Sequence, residues 1–222
     1  MFNFDFLIDT LLLLPGILIG ITFHEFAHAF VSDRLGDPTP RATGRLSLSP
    51  TAHIDPVGFL MLLLFRFGWA KPVQIDTRYY KKPIRDENLV SLAGVVTNLL
   101  LAILFTGFYK IFITFVIPSI STLDTNILIV FLKLFNYTIY INLVLCIFNL
   151  IPIPPLDGSH ILMNILPIRN TRAGYILERY GMYILIGLIV LPTFFGFSIL
   201  TPIIDFPLNL LSWIFGISAP FM

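Results

Sequence analysis

His24, Glu25 and His28 stand in the order H-E-x-x-H inside the apolar run from Ile21 to Phe30. On a helix, residues four apart lie about 40° apart around the axis and one turn apart along it, so both imidazoles can face one metal ion. Glu25, beside the first of them, is poorly placed to join the pair and well placed to act as general base towards a water at the metal. Two imidazoles and a carboxylate are costly in so apolar a setting, and ionisable side chains at membrane depth serve function by default. The chemistry these residue types suit is zinc-assisted hydrolysis. A catalytic zinc takes three protein ligands and keeps a fourth position open. For the third ligand the sequence offers Asp157, His160 and His53. Asp157 is favoured because it follows a helix end broken by Pro152, Pro154 and Pro155, where an unpaired carboxylate would be expensive. His160, three residues on, could share its face. His53, in a turn before Pro56, suits lining the site or local bonding.

The elements that must position these groups are membrane helices. Of 222 residues, 56% are hydrophobic and 12% charged, and the mean hydropathy is +0.87. Soluble domains carry about a quarter charged residues. A formal net charge of +1, with no basic stripe interleaved with aromatics, excludes a nucleic-acid partner. The single cysteine, Cys146, rules out a disulfide framework and a cysteine zinc site. The residues before the first apolar run carry Asp5 and Asp9 and no basic residue, so the run reads as a retained first helix rather than a signal peptide.

Hydropathy and punctuation give the order of elements. Phe6 to about Val31 forms the first helix, with Pro15-Gly16 bending it and Gly16-x-x-x-Gly20 permitting close approach of a neighbour. Residues 34–56 are rich in Pro, Gly, Ser and Thr, and the alternation Arg45-Leu46-Ser47-Leu48-Ser49 predicts a small β-hairpin over Arg41 to Ser49 beside the site. Pro56 to Phe67 is too short to cross and reads as re-entrant. Leu89 to Ile117 and Asn126 to Leu150 are clear spans, Ile161 to Ile165 a short helix, and Gly174 to Phe197 a further span. Ile203 to Ile217, interrupted by Pro207, is a final short span or an interfacial segment. The expected fold is an all-α polytopic membrane protein with about five to six transmembrane helices, a re-entrant segment and a hairpin near the site. It forms one domain over 1–222, with a catalytic core over about 6–166 and C-terminal helices over about 174–217. In this topology twelve of the fourteen Lys and Arg, all but Lys110 and Lys133, fall on one side, which is then cytoplasmic. The N-terminus is extracytoplasmic, and His24, His28 and Asp157 lie towards the cytoplasmic side of the cell membrane.

His24-Glu25-x-x-His28 followed by Asn149-Leu150-Ile151-Pro152-x-Pro154-Pro155-Leu156-Asp157-Gly158 resembles the site-2 protease family of intramembrane zinc metalloproteases, in a short form without PDZ or CBS domains. Three softer stretches agree: Leu48-Ser49-Pro50 through His53-Ile54-Asp55-Pro56, Gly68 to Val73, and Ala93-Gly94 through Asn98. The resemblance implies one zinc held by His24, His28 and Asp157, with Glu25 as catalytic base and membrane-spanning proteins or peptides as substrates in the lipid bilayer. It also implies that Asn98 and Asn149 help hold the substrate or the site. Ser159 stands where many members have a second glycine, which requires that this backbone position not need positive φ. Val95 stands where the family often has proline. The competing reading is a metal-ion transporter or channel, which predicts ligands spread along a path across the bilayer rather than gathered at one depth.

Overall fold

The computed structural model describes residues 4–65, 68–119, 124–166, 168–195 and 200–217, and within them no strand forms. In chain order the helices are α1 (Phe4–Arg34), α2 (Thr39–Ala42), α3 (Pro56–Phe65), α4 (Pro83–Ile111), α5 (Ile117–Ser119), α6 (Thr125–Leu150), α7 (Asp157–Ile165), α8 (Arg172–Phe195) and α9 (Leu200–Ile214). A π-helical turn, Phe112–Val116, joins α4 to α5. Among the described residues three stretches are long and apolar enough to cross a membrane, Phe6–Arg34, Pro83–Ser119 and Thr125–Leu150. The expected ends at Phe67 and Phe197 lie outside the described residues.

Helix α4 begins six residues before the apolar run does. Pro83 occupies its first turn, where a missing N–H costs nothing, and the Asp86 carboxylate accepts the Lys82 N–H at 2.9 Å. Hydropathy marks where a helix enters the apolar layer, whereas capping marks where its hydrogen-bond ladder starts. At α6 the two coincide, because Asp124 caps the helix by accepting the Asn126 N–H at 2.7 Å.

Helices α1, α4 and α6 pack on one another and form the frame. Gly16 and Gly20 make the α1–α6 approach possible. A Cβ at Gly16 would lie 2.8 Å from the Thr138 Cα, and one at Gly20 would lie 2.7 Å from Leu145 Cδ1. A second cluster gathers Ala102 and Tyr109 of α4, Ile139 and Leu143 of α6, and Leu208 and Leu211 of α9. Helix α9 is therefore part of the bundle. Lys110 closes that end by donating to the Gly216 carbonyl at 2.9 Å, where Gly216 turns the chain with φ +58°.

The expected hairpin over Arg41 to Ser49 is not formed. Pro40 accepts both the Arg45 and the Leu46 N–H, which curls the chain after α2, and Gly44 takes φ +70°. Arg45 turns inward, donating to the carbonyls of Ala52 and Lys71, while Leu48 is exposed. The alternation in the sequence thus has the wrong sense: the charged member is buried because backbone carbonyls satisfy it.

Helix α3 has ten residues, about 15 Å at 1.5 Å per residue. Asp55 caps it by accepting the Gly58 N–H at 2.8 Å. Beyond it the chain returns to its starting point. Ile54 and Ala70 form an antiparallel bridge, and the Lys71 N–H donates to the His53 carbonyl at 2.8 Å. Glycine at 58 and 68 lets the two arms touch, since a side chain at either would strike the other arm's backbone. The segment that follows, residues 70–76, has no helix or ladder of its own and runs past the C-terminal part of α1.

Candidate metal centre

Helix α1 places His24 and His28 on one face, buried, with ring centroids 4.5 Å apart and planes at 86°. The far nitrogen of each ring is fixed by a neighbouring helix. His24 Nδ1 lies 2.6 Å from Asn98 Oδ1, and His28 Nδ1 lies 2.7 Å from the Val90 carbonyl. Both partners can only accept, so both Nδ1 atoms carry a proton, which leaves the two Nε2 atoms as the ones able to ligate a metal. Those Nε2 atoms face one another across 2.9 Å.

Asp157 completes the group. Prolines end α6 at Leu150 and Asp157 opens α7, with its carboxylate in the favourable first turn. Its Oδ2 lies 3.2 Å from His24 Nε2 and 3.3 Å from His28 Nε2. That oxygen is buried and accepts no hydrogen bond. Three potential ligand atoms thus converge on one point, the arrangement that a cation's coordination requires. Ligands at zinc distances in a tetrahedron stand about 3.3 Å apart, so the triangle fits such an ion. Among the described residues His24, His28 and Asp157 form the one group able to hold a metal.

Two glycines make room for it. A Cβ at Gly94 of α4 would lie 2.5 Å from His24 Cε1 and 2.6 Å from His28 Nε2. One at Gly158 would strike the carbonyls of Leu150 and Ile151, so α7 can start against the end of α6 only with glycine there. Ser159 is already helical, and its hydroxyl donates to the Leu156 carbonyl at 2.7 Å, so the departure from a second glycine needs no special backbone.

Glu25 is half-buried, and its Oε2 accepts the Val73 N–H at 3.0 Å. The extended segment is thereby tied to α1 beside the His pair. Its far end is tied by Asp37, which is buried and accepts from the Ser32 hydroxyl, the Thr39 N–H and the Asp76 N–H. Burial alone would raise the Asp37 pKa, but these hydrogen bonds outweigh it and hold the carboxyl below its usual range. Tyr80 donates into the same network through Ser32, and burial pushes its hydroxyl up to about 12.

His160 and His53 are not brought to the group. His160 is half exposed and its ring meets Glu87 at 3.1 Å, within a cluster that also holds Asn164 and Arg169. His53 is fully buried, with its Nε2 donating to the Ser47 carbonyl at 2.7 Å. Asn98 reaches His24, as above, and Asn149 donates to the Leu145 carbonyl of its own helix at 3.0 Å. Sequence reasoning passed over Asn142, which is fully buried and bonded to Asn98 at 3.0 Å. The available signal was an amide in an apolar helix, seven residues before Asn149 and so on its face. The Val90 carbonyl and Val73 amide are backbone groups and carry no such signal.

Known proteins give the same picture. YwhC of Bacillus subtilis, named as a candidate zinc metalloprotease, is 36% identical over 195 residues, covering 85% of this chain and 84% of that protein. Rip2 of Mycolicibacterium smegmatis, named likewise, is 29% identical over 82% of this chain and 68% of its own length. A third so named, MJ0611 of Methanocaldococcus jannaschii, is 28% identical over 72% of this chain and 73% of its own. No solved structure matches the chain. The profile of peptidase family M50 matches residues 12–191, from α1 through most of α8 and across the whole His24, His28 and Asp157 group. The chain therefore belongs to peptidase family M50.

Proposed function

We propose that the chain is an intramembrane zinc metalloendopeptidase that cleaves membrane-spanning proteins or peptides. The observation that carries this reading is the convergence of two imidazoles from the membrane-spanning helix α1 and the Asp157 carboxylate from the start of α7, next to a carboxylate, Glu25, that is not one of them. His24, His28 and Asp157 would hold the ion, leaving a fourth position for water. Bound there, zinc supplies Lewis acidity, lowering the pKa of water towards about 7 and polarising the scissile carbonyl. Glu25 takes the water's proton during attack and returns it to the leaving amine. Asn98 orients His24. Asn149, at the same end of α6 as the site, holds the opened substrate backbone. His53 lines the wall behind the Lys71 to Val73 segment, to which its carbonyl is bonded. A helical substrate must unwind locally before its carbonyls can be reached. The chain acts as one unit over 1–222, with the α3 segment entering and leaving the bilayer on one side, a reading supported by the pairing of Ile54 before it with Ala70 after it. Basic residues put that side, and the metal centre, towards the cytoplasm, with the N-terminus outside.

The test is zinc content together with cleavage of a transmembrane reporter in liposomes, for the parent, Glu25→Gln and Asp157→Ala. The parent is expected to hold about one zinc and cleave. Glu25→Gln should keep the metal and lose cleavage, and Asp157→Ala should lose both. Zinc flux across the liposomes that survives Glu25→Gln, with no cleavage by the parent, would favour a transporter and sink this assignment.

A further inference from the structure

His28 meets a backbone carbonyl, but His24 faces a side chain, and that side chain is held by another. Asn98 Nδ2 donates to the Gly20 carbonyl at 3.1 Å and to Asn142 Oδ1 at 3.0 Å. Asn142 Nδ2 in turn donates to the Thr138 carbonyl at 2.8 Å. Both amides are fully buried, so no water competes for them. We propose that Asn142 is a positioning residue that fixes the tautomer of His24 through Asn98, and so presents the His24 Nε2 lone pair to the metal. The inference rests on the ligand reading above.

The direction of the chain follows from its ends. An amide can be turned end for end, but the carbonyls of Gly20 and Thr138 can only accept. Turning Asn98 would set its oxygen against the Gly20 carbonyl and Asn142 Oδ1. Turning Asn142 would set its oxygen against the Thr138 carbonyl. One arrangement leaves every contact a donor meeting an acceptor, and in it the Asn98 oxygen faces His24. The ring must then carry its proton on Nδ1. A histidine protonated on Nε2 would oppose two acceptors 2.6 Å apart at Nδ1 and aim a proton at His28 and Asp157. The relay does for His24, through α6 and α4, what the Val90 carbonyl does for His28 directly.

The experiment measures zinc affinity of the full chain in detergent by competition with a chromogenic chelator, alongside 15N spectra of the histidines in the zinc-free protein. Removing outer partners of a metal ligand typically costs ten- to a hundredfold in affinity. Asn142→Leu is expected near the lower end, about tenfold, and Asn98→Leu near the upper, about a hundredfold. Asn142→Asp, entering this fully buried place as the neutral acid, keeps an oxygen towards Asn98 and can donate its O–H to the Thr138 carbonyl, so it should hold affinity within about threefold of the parent, a distinction that mere packing would not make. Added to Asn98→Leu, the leucine at 142 should cost nothing more, because its effect passes through Asn98. Parental affinity in Asn142→Leu, or losses that multiply in the double variant, would overturn the proposal. Should Asn142→Leu fail to fold, the parent decides: His24 with a bare Nδ1 and its only proton on Nε2 would overturn it. A parent that binds no zinc would overturn the ligand reading, and this inference with it.

Discussion

Replacing Gly94 by alanine adds one methyl group at the back of the metal centre. Built on the present backbone, that carbon would lie 2.5 Å from His24 Cε1, 2.6 Å from His28 Nε2 and 2.7 Å from His24 Nδ1. Optimal carbon contacts are about 3.5–4.0 Å, so the two rings and α4 must separate by roughly 1 Å. A metal site tolerates about 0.2 Å in its ligand distances. The rings cannot yield by rotating alone, because His24 is held to Asn98 and His28 to Val90. Zinc affinity should fall by about a hundredfold or more, the upper end of what losing an outer partner does, since two ligands move together. Zinc-free stability should fall by up to about 2 kcal/mol, a smaller effect than the loss of affinity. Overpacking costs about 1–3 kcal/mol, and the gain of alanine over glycine in a helix offsets up to about 1 kcal/mol of it. Gly107→Ala on the same helix supplies the control, because its methyl would sit 3.6 Å from Phe215 Cε1, an ordinary contact. The assay is chelator competition and thermal melting with and without zinc. Parental zinc affinity in Gly94→Ala would refute the geometry.

Three further outcomes follow from the packing. Gly158→Ala should displace α7 from the end of α6, since its methyl strikes the Leu150 and Ile151 carbonyls, and zinc content and cleavage should fall together. Gly20→Leu should force α1 away from Leu145 and Asn142 and destabilise the bundle by about 1–3 kcal/mol, read as loss of melting temperature in detergent. Asp37 has a depressed folded pKa, so its contribution is present above the ordinary carboxylate range and is lost as pH falls below about 4 through the folded value. Asp37→Asn should accordingly lower stability at pH 7 and flatten its acid dependence, measured by melting between about pH 7 and pH 3.

The centre was legible because its chemistry is expensive where it stands. Imidazoles and carboxylates in apolar helices are conspicuous, and the 3.6-residue repeat shows which of them share a face. The proline run before Asp157 likewise marks a helix end in plain letters. Residues 41–49 were misread because alternation carries a sense only when burial follows polarity. Arg45 reverses it, through two carbonyls brought in from Ala52 and Lys71. The parts that could not be read are backbone partners from distant segments, Val90 for His28 and Val73 for Glu25. Their identity depends on helix placement, and any residue type can supply them.

The Val73 contact divides Glu25 in two. One carboxylate oxygen is engaged as an anchor for the extended segment, and the other is left for the proton transfer proposed above. Glutamine preserves the anchor, because its carbonyl oxygen can still receive the Val73 N–H while its amide removes the base. Alanine would cut the tether as well, releasing the chain between the α3 return and the Asp37 clamp. An inactive alanine variant would therefore confound a lost base with a displaced wall, whereas a glutamine variant isolates the proton transfer.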